Sequence, residues 1–273
     1  MIATETIKQR SLQGIERLAK ASYIAKAVFY GSIAVFTAKF AFGERNADPS
    51  RKQVLEQLTI SPFGKVLIAF IAVALAGHTL WRLFEIWNDP YKKGNGPGGW
   101  LYRLNYTLSA ITYGGLGFTA VKLLLGKGSG DDNQKQIWVA KLLQIEGGDW
   151  LVILVGSIFI TWAGIQFYKG LSGCVYKGLQ LEGVNRIGKG FLWLCGLVGF
   201  LTVGSTLAGT GWYLIKGALA KDPHWVKNMD DIIKAVKTLP GGWGLQLGVA
   251  TGFLLMGCFM LAMARYFPVK TIE

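Results

Sequence analysis

Residues 23–39 read YIAKAVFYGSIAVFTAK, and residues 106–122 read YTLSAITYGGLGFTAVK. Tyr23 matches Tyr106, Tyr30 matches Tyr113, Gly31 matches Gly114 and Lys39 matches Lys122, all at one offset of 83 residues. A helix turns 100° per residue, so Tyr23, Lys26 and Tyr30 fall on one face, and Tyr106, Ser109 and Tyr113 do the same. Around that stripe the apolar segments 21–43 and 104–126 are long enough to cross a hydrocarbon core about 30 Å thick. A chain that repeats such a segment at a fixed offset is built from copies of one membrane-spanning unit.

The match extends outward from the quoted stretches. Leu18 corresponds to Leu101, Lys20 to Arg103, and Lys52-Gln53 to Lys135-Gln136. A third, more divergent copy starts near Arg186, where Ile187, Lys189 and Trp193 take the places of Ile24, Lys26 and Tyr30. The expected boundaries are 18–90, 101–173 and 182–268 within a single membrane domain covering 1–273. Each copy follows one plan: a spanning helix, a polar loop, an amphipathic stretch, a Gly-rich break and a second spanning helix. The amphipathic stretches carry Val54, Leu55 and Leu58; Trp138, Leu142 and Leu143; and Ile232, Ile233, Val236 and Leu239, all at helical spacing. The breaks read SPFG (61–64), EGGD (146–149) and PGGW (240–243), where Pro and Gly end the short helix and turn the chain.

The expected fold is therefore an all-α integral membrane protein. Its six transmembrane helices are placed at 21–43, 63–87, 104–126, 149–169, 190–220 and 243–264. The segments lack the alternation of barrel strands. An even number of spans per repeat gives three parallel two-helix repeats, hence pseudo-threefold symmetry about the membrane normal. The short amphipathic helices lie flat at the interface, where Trp138, Trp150, Trp225 and Trp243 suit the headgroup zone. The segment 190–220 is long, and Gly209-Thr210-Gly211 offers a break or bend, with tilt as the simpler alternative.

The formal net charge of +13 does not point to nucleic acid, because the basic residues are spread over every loop. A slight excess of Lys and Arg on the side of the termini places both in the cytoplasm and favours anionic lipid headgroups there. The first twenty residues lack a short apolar core with a cleavage site, so no removable signal peptide is expected.

The two tyrosine repeats, SPFGKVL (61–67), QFYKGLSG (166–173) and the terminal AMARYFP (262–268) together resemble one bacterial family. It is the domain-of-unknown-function family 1206, six-helix proteins of the inner membrane. The resemblance covers nearly the whole chain and implies a topology and a bacterial cell-membrane location. It implies no activity and no catalytic residues. The third repeat departs most from it, with Trp193 in place of Tyr.

Inside the spans, two polar features stand out. The first is the repeated stripe: Tyr23, Lys26 and Tyr30; Tyr106, Ser109 and Tyr113; Lys189 and Trp193. Such stripes either converge on the axis to line a polar vestibule or bond across helices as packing glue. The second is His78, Arg82 and Glu85, on one helix face by spacings of four and three. Gln166 and Lys169 lie at a similar depth. That group reads either as a proton or anion site or as a structural network. Lys39 and Lys122 stand about a turn from their helix ends, where long side chains snorkel.

Chemical motifs are sparse. The other histidine, His224, falls in the loop on the opposite side from His78, so a two-histidine haem site is not expected. Cys174, Cys195 and Cys258 are scattered, so neither a zinc site nor a structural disulfide is expected. GKGSGDDN (126–133) lacks the lysine-serine ending of a phosphate loop. No enzymatic activity and no cofactor follow from the sequence. It favours a scaffold or accessory subunit packing against lipid, a membrane-protein partner or a second copy, with a small-solute, ion or lipid channel or carrier as the alternative.

Overall fold

The computed structural model describes residues 2–44, 50, 55–56, 59–60, 62–89, 94–127, 134–227 and 229–266, with residues 2–19, 63 and 134–138 described by backbone alone. Val54, Leu58, Ser61, Lys52-Gln53, most of GKGSGDDN, Phe267 and Pro268 lie outside the described residues, as does the Trp138 side chain. Among the described residues every regular element is a helix. They are α1 (Ile2–Ala41), α2 (Pro62–Asn88), α3 (Pro97–Leu124), α4 (Gln134–Leu143), α5 (Gly148–Ser172), α6 (Cys174–Lys177), α7 (Arg186–Leu219), α8 (Met229–Ala235) and α9 (Gly242–Tyr266). Short 3-10 turns, Pro223–Trp225 and Val236–Thr238, flank α8.

Local chemistry explains the ends. α3 starts with Pro97 at its first positions, where the missing N–H has no partner to lose. The Asn185 side chain accepts from the Gly188 N–H at 2.8 Å and caps α7. The EGGD and PGGW breaks turn where expected: Gly147 (φ +76°) and Gly241 (φ +68°) take the left-handed conformation just before α5 and α9.

Among the described residues, five stretches are long and apolar enough to cross a membrane: Lys20–Ala41 of α1, Gly64–Asn88 of α2, and the whole of α5, α7 and α9. The expected span at 104–126 also forms one helix, the 28-residue α3. It is not among those five, because Arg103, Asn105, Thr107, Ser109, Thr112, Thr119 and Lys122 dilute its apolar content.

The helices pack in a recurring order. The closest pairs are α5 with α7, α1 with α9, and α2 with α3, and α9 also packs on α7 and α1 on α2. Gly156 and Gly211 mark the α5–α7 crossing. A Cβ at Gly211 would stand 2.7 Å from the Gly156 carbonyl oxygen, and one at Gly156 would stand 2.9 Å from that of Gly211. Small residues let the two backbones touch. Of the two alternatives the sequence left open for this long segment, a break at Gly209-Thr210-Gly211 does not occur. α7 runs unbroken for 34 residues, and these glycines serve close approach instead. The buried core joins Phe29, Ile33, Phe200, Val203, Phe253, Met256, Phe259 and Met263 from α1, α7 and α9.

Candidate functional site

The stripe and the His78 group meet in a single network. Lys26 on α1 donates from Nζ to His78 Nε2 on α2 at 2.7 Å. Ser109 Oγ on α3 lies 3.3 Å from the same nitrogen, and Arg82 Nε lies 3.4 Å from it. Lys26 Nζ also lies 3.4 Å from Nδ1 of the same ring. Arg82 then donates from its terminal nitrogen to Glu85 Oε2, one helical turn on. The other Glu85 oxygen accepts from Trp81 Nε1 at 2.9 Å. The bonded pairs thus run Lys26, His78, Arg82, Glu85 and Trp81, with Ser109 joining at His78.

Aromatic rings line this network. The Lys26 ammonium stands 4.1 Å from the centre of the Tyr113 ring and 5.8 Å from that of Tyr23. Arg82 lies 5.1 Å from the centre of the Tyr106 ring, and His78 meets Tyr113 edge-on at 5.2 Å. Cation–π contact of a desolvated cation is worth about 2 kcal/mol, which helps hold charge out of water. Tyr30 and Tyr113 join hydroxyls at 3.0 Å, and Tyr30 stacks on Phe253 of α9.

Burial is the decisive quantity. Lys26 is 5% exposed, His78 3%, Glu85 2% and Ser109 8%. Isolated charge at that depth costs roughly 2.5–3.5 kcal/mol on insertion scales, so mutual pairing is what makes the arrangement tolerable.

Sequence reasoning missed two partners. Lys169 on α5 donates to Asn105 Oδ1 on α3 at 2.9 Å, and Trp81 holds Glu85. Both were within reach of the periodicity, since Asn105 precedes Ser109 by four residues and Trp81 precedes Glu85 by four. Gln166 is buried near Lys169, but its Oε1 has no partner among the described residues.

The third copy of the stripe does not join. Lys189 and Trp193 are exposed, Trp193 at 44%. The buried polar residues of α7 are Thr206 and Thr210, which bond back to their own helix at Val203 and Thr206. Lys39 is exposed and pairs with Glu44 at 3.1 Å, and the Lys122 ammonium lies 5.0 Å from the centre of the Phe118 ring. His224 sits in the Pro223–Trp225 turn, its N–H bonded to Asp222. Among the described residues no group of three or more His, Cys, Asp or Glu is placed to hold a metal ion.

What the site offers chemically is held charge. Three basic side chains, Lys26, Arg82 and Lys169, and the Glu85 carboxylate gather at the end of the bundle where α2 and α5 finish.

Comparison with known proteins returns the same two-copy pattern. The family described as Domain of Unknown Function (DUF1206) matches residues 21–88 and again residues 104–173. The two matches start 83 residues apart, the separation of Tyr30 from Tyr113. The chain is also similar to "Uncharacterized protein YxxB" of Bacillus subtilis (strain 168), 26% identical over 260 residues, covering 95% of this chain and 94% of the relative. No solved structure matches it. With about half its residues matched in two tandem segments, the chain belongs to the Domain of Unknown Function (DUF1206) family.

Proposed function

We propose that the protein is a non-enzymatic scaffold or accessory subunit of the bacterial inner membrane. It packs against lipid and against another membrane protein or a second copy of itself. One observation carries this reading: Lys26, His78, Glu85 and Ser109 are each buried and bonded to neighbouring side chains instead of facing a passage. A network spent on its own partners holds helices together.

The topology belongs to the same reading. Six spans follow if α3 crosses the membrane with the five more apolar helices, its length of 28 residues giving about 42 Å of rise. Threefold pseudosymmetry is supported by the packing order. In each case the second helix of one repeat lies against the first helix of the next: α2 on α3, α5 on α7, α9 on α1. The axis relates backbones better than side chains, since the third stripe is turned outward. α4 and α8 are the interfacial helices of the second and third repeats. Both termini then share the cytoplasmic side.

The test is native mass spectrometry of the full chain extracted from its own membrane in mild detergent. A stoichiometric protein partner or a defined homo-oligomer is the expected result. A lone chain that passes ions or small solutes after reconstitution, with flux abolished by His78→Ala, would replace this reading with the carrier.

A further inference from the structure

The six long helices close on their neighbours at every seam but one. α1 packs on α2 and α7 on α9, the helix pairs of the first and third repeats, whereas α3 and α5 of the second repeat stand apart. They are tied at one end, where Lys169 donates to Asn105 Oδ1 at 2.9 Å. That bond fixes which faces look at each other. Helical spacing puts Thr112 and Thr119 on the Asn105 face of α3, and Gln166, Trp162, Val155 and Leu151 on the Lys169 face of α5. The two helices run antiparallel, so equal steps from the bond are level. Thr112 stands across from Trp162 about 10 Å along, and Thr119 across from Val155 about 21 Å along.

The seam widens away from the bond. Trp162 Nε1 and Gln166 Oε1 are buried on its floor, their residues 8% and 9% exposed, and neither atom has a partner among the described residues. Thr112 is level with that indole and does not reach it. Further along, Val155 is 42% exposed, Leu151 51%, and Thr119 half-buried. At the mouth of the seam a Cβ on Gly115 would meet nothing within 4 Å, whereas one on its neighbour Gly114 would lie 3.2 Å from Thr79 of α2. The second repeat is thus a wedge, polar at its floor and open at its mouth.

Hydrocarbon offers no hydrogen bonds to such a floor, so a lipid tail leaves the wedge as it is. A second wedge fits it. A twofold axis along the membrane normal keeps every height, so it sets each α3 antiparallel to the other copy's α5 with Thr119 again level with Val155. An isologous contact needs a patch that is its own complement, and the bare Gly115 lets helices approach closely.

We propose that two copies of the chain meet seam to seam, their α3 and α5 helices forming a four-helix bundle about that twofold axis. The inference rests on the six-span scaffold reading above and names the face that engages a second copy.

The experiment uses full-length chains carrying Cys174→Ser, which removes the exposed native thiol. Two differently tagged copies are co-expressed, one with Thr119→Cys and one with Val155→Cys, and their membranes are treated with copper phenanthroline in air. Two thiols give up two hydrogens to dioxygen, which ends as water, and one disulfide forms between the chains. A linked pair bearing both tags is expected. Gly164→Cys with Val121→Cys, exposed positions on other faces of α5 and α3, is expected to give none. On dilution in mild detergent, Gly115→Leu is expected to raise the dimer dissociation constant about tenfold with helical content unchanged. Gly164→Leu leaves that constant as it was. Equal linkage of the control pair overturns the proposal, as does a dimer indifferent to Gly115→Leu. Linkage of either cysteine to a different protein overturns the second copy and leaves the scaffold reading standing. A lone chain with solute flux lost in His78→Ala removes both.

Discussion

Tyr30 and Tyr113, 83 residues apart in the chain, touch through their hydroxyls at 3.0 Å. They are the same residue of two copies of one unit. The contact is direct side-chain bonding between equivalent points of the first two repeats. Removing one hydroxyl should cost about 0.6 kcal/mol and at most about 1.7, the measured range for interhelical hydrogen bonds in membranes. Tyr30→Phe and Tyr113→Phe combined should cost no more than the larger single change, read as a double-mutant cycle on unfolding in mixed micelles. Additive losses would show that the pair does not act as one contact.

Glu85 carries the only carboxylate bonded into the buried network among the described residues. Glu85→Gln leaves Arg82 buried without its counter-charge and should destabilise by about 3–5 kcal/mol, the usual loss on breaking a buried pair. Replacing both, as Arg82→Met with Glu85→Met, should cost less than Glu85→Gln alone. Thermal unfolding in detergent ranks the three.

The α5–α7 crossing admits no side chain at Gly156 or Gly211, whereas a Cβ at Gly164 meets nothing within 4 Å. Gly211→Val should lose about 1–3 kcal/mol through overpacking. Gly164→Ala should stay within about 0.5 kcal/mol of the wild type. Similar effects of the two substitutions would remove the case for backbone contact at that crossing.

Cys174 is exposed and Cys195 is buried. If the termini and the α5–α6 junction face the cytoplasm, a membrane-impermeant maleimide should label Cys174 in inverted vesicles and spare it in spheroplasts. Labelling in spheroplasts would reverse the orientation. Cys195 should stay unreactive in both until the chain is denatured.

Much of this architecture could be read from the residues, and the failures have physical causes. Helical periodicity identified which of Tyr23, Lys26, Tyr30, Tyr106, Ser109 and Tyr113 share a face, because that depends on one helix at a time. It could not tell that Lys26 reaches His78, since that depends on how α1 and α2 sit against each other. Lys189 and Trp193 show the opposite limit. Alignment to the first two repeats assigned them a place in the stripe, yet the packing of α7 on α5 and α9 turns that face outward. Gly209-Thr210-Gly211 looked like a break because glycine weakens helices in water. Within a bundle the same lack of a side chain permits contact, and the helix persists.

The α1–α9 pairing has a consequence for biogenesis. Gly257 on α9 lies against the backbone of α1, where an added Cβ would stand 3.1 Å from the Ala27 carbonyl oxygen. α1 therefore finds its most extensive neighbour only when α9, about 200 residues later, arrives. At roughly 5–20 residues per second, the α1 face around Ala27 and Gly31 waits for tens of seconds. During that interval it is open to lipid, insertion factors or the wrong helix. A chain cut short before Gly242 would lack α9, and with it the surface that covers this face of α1.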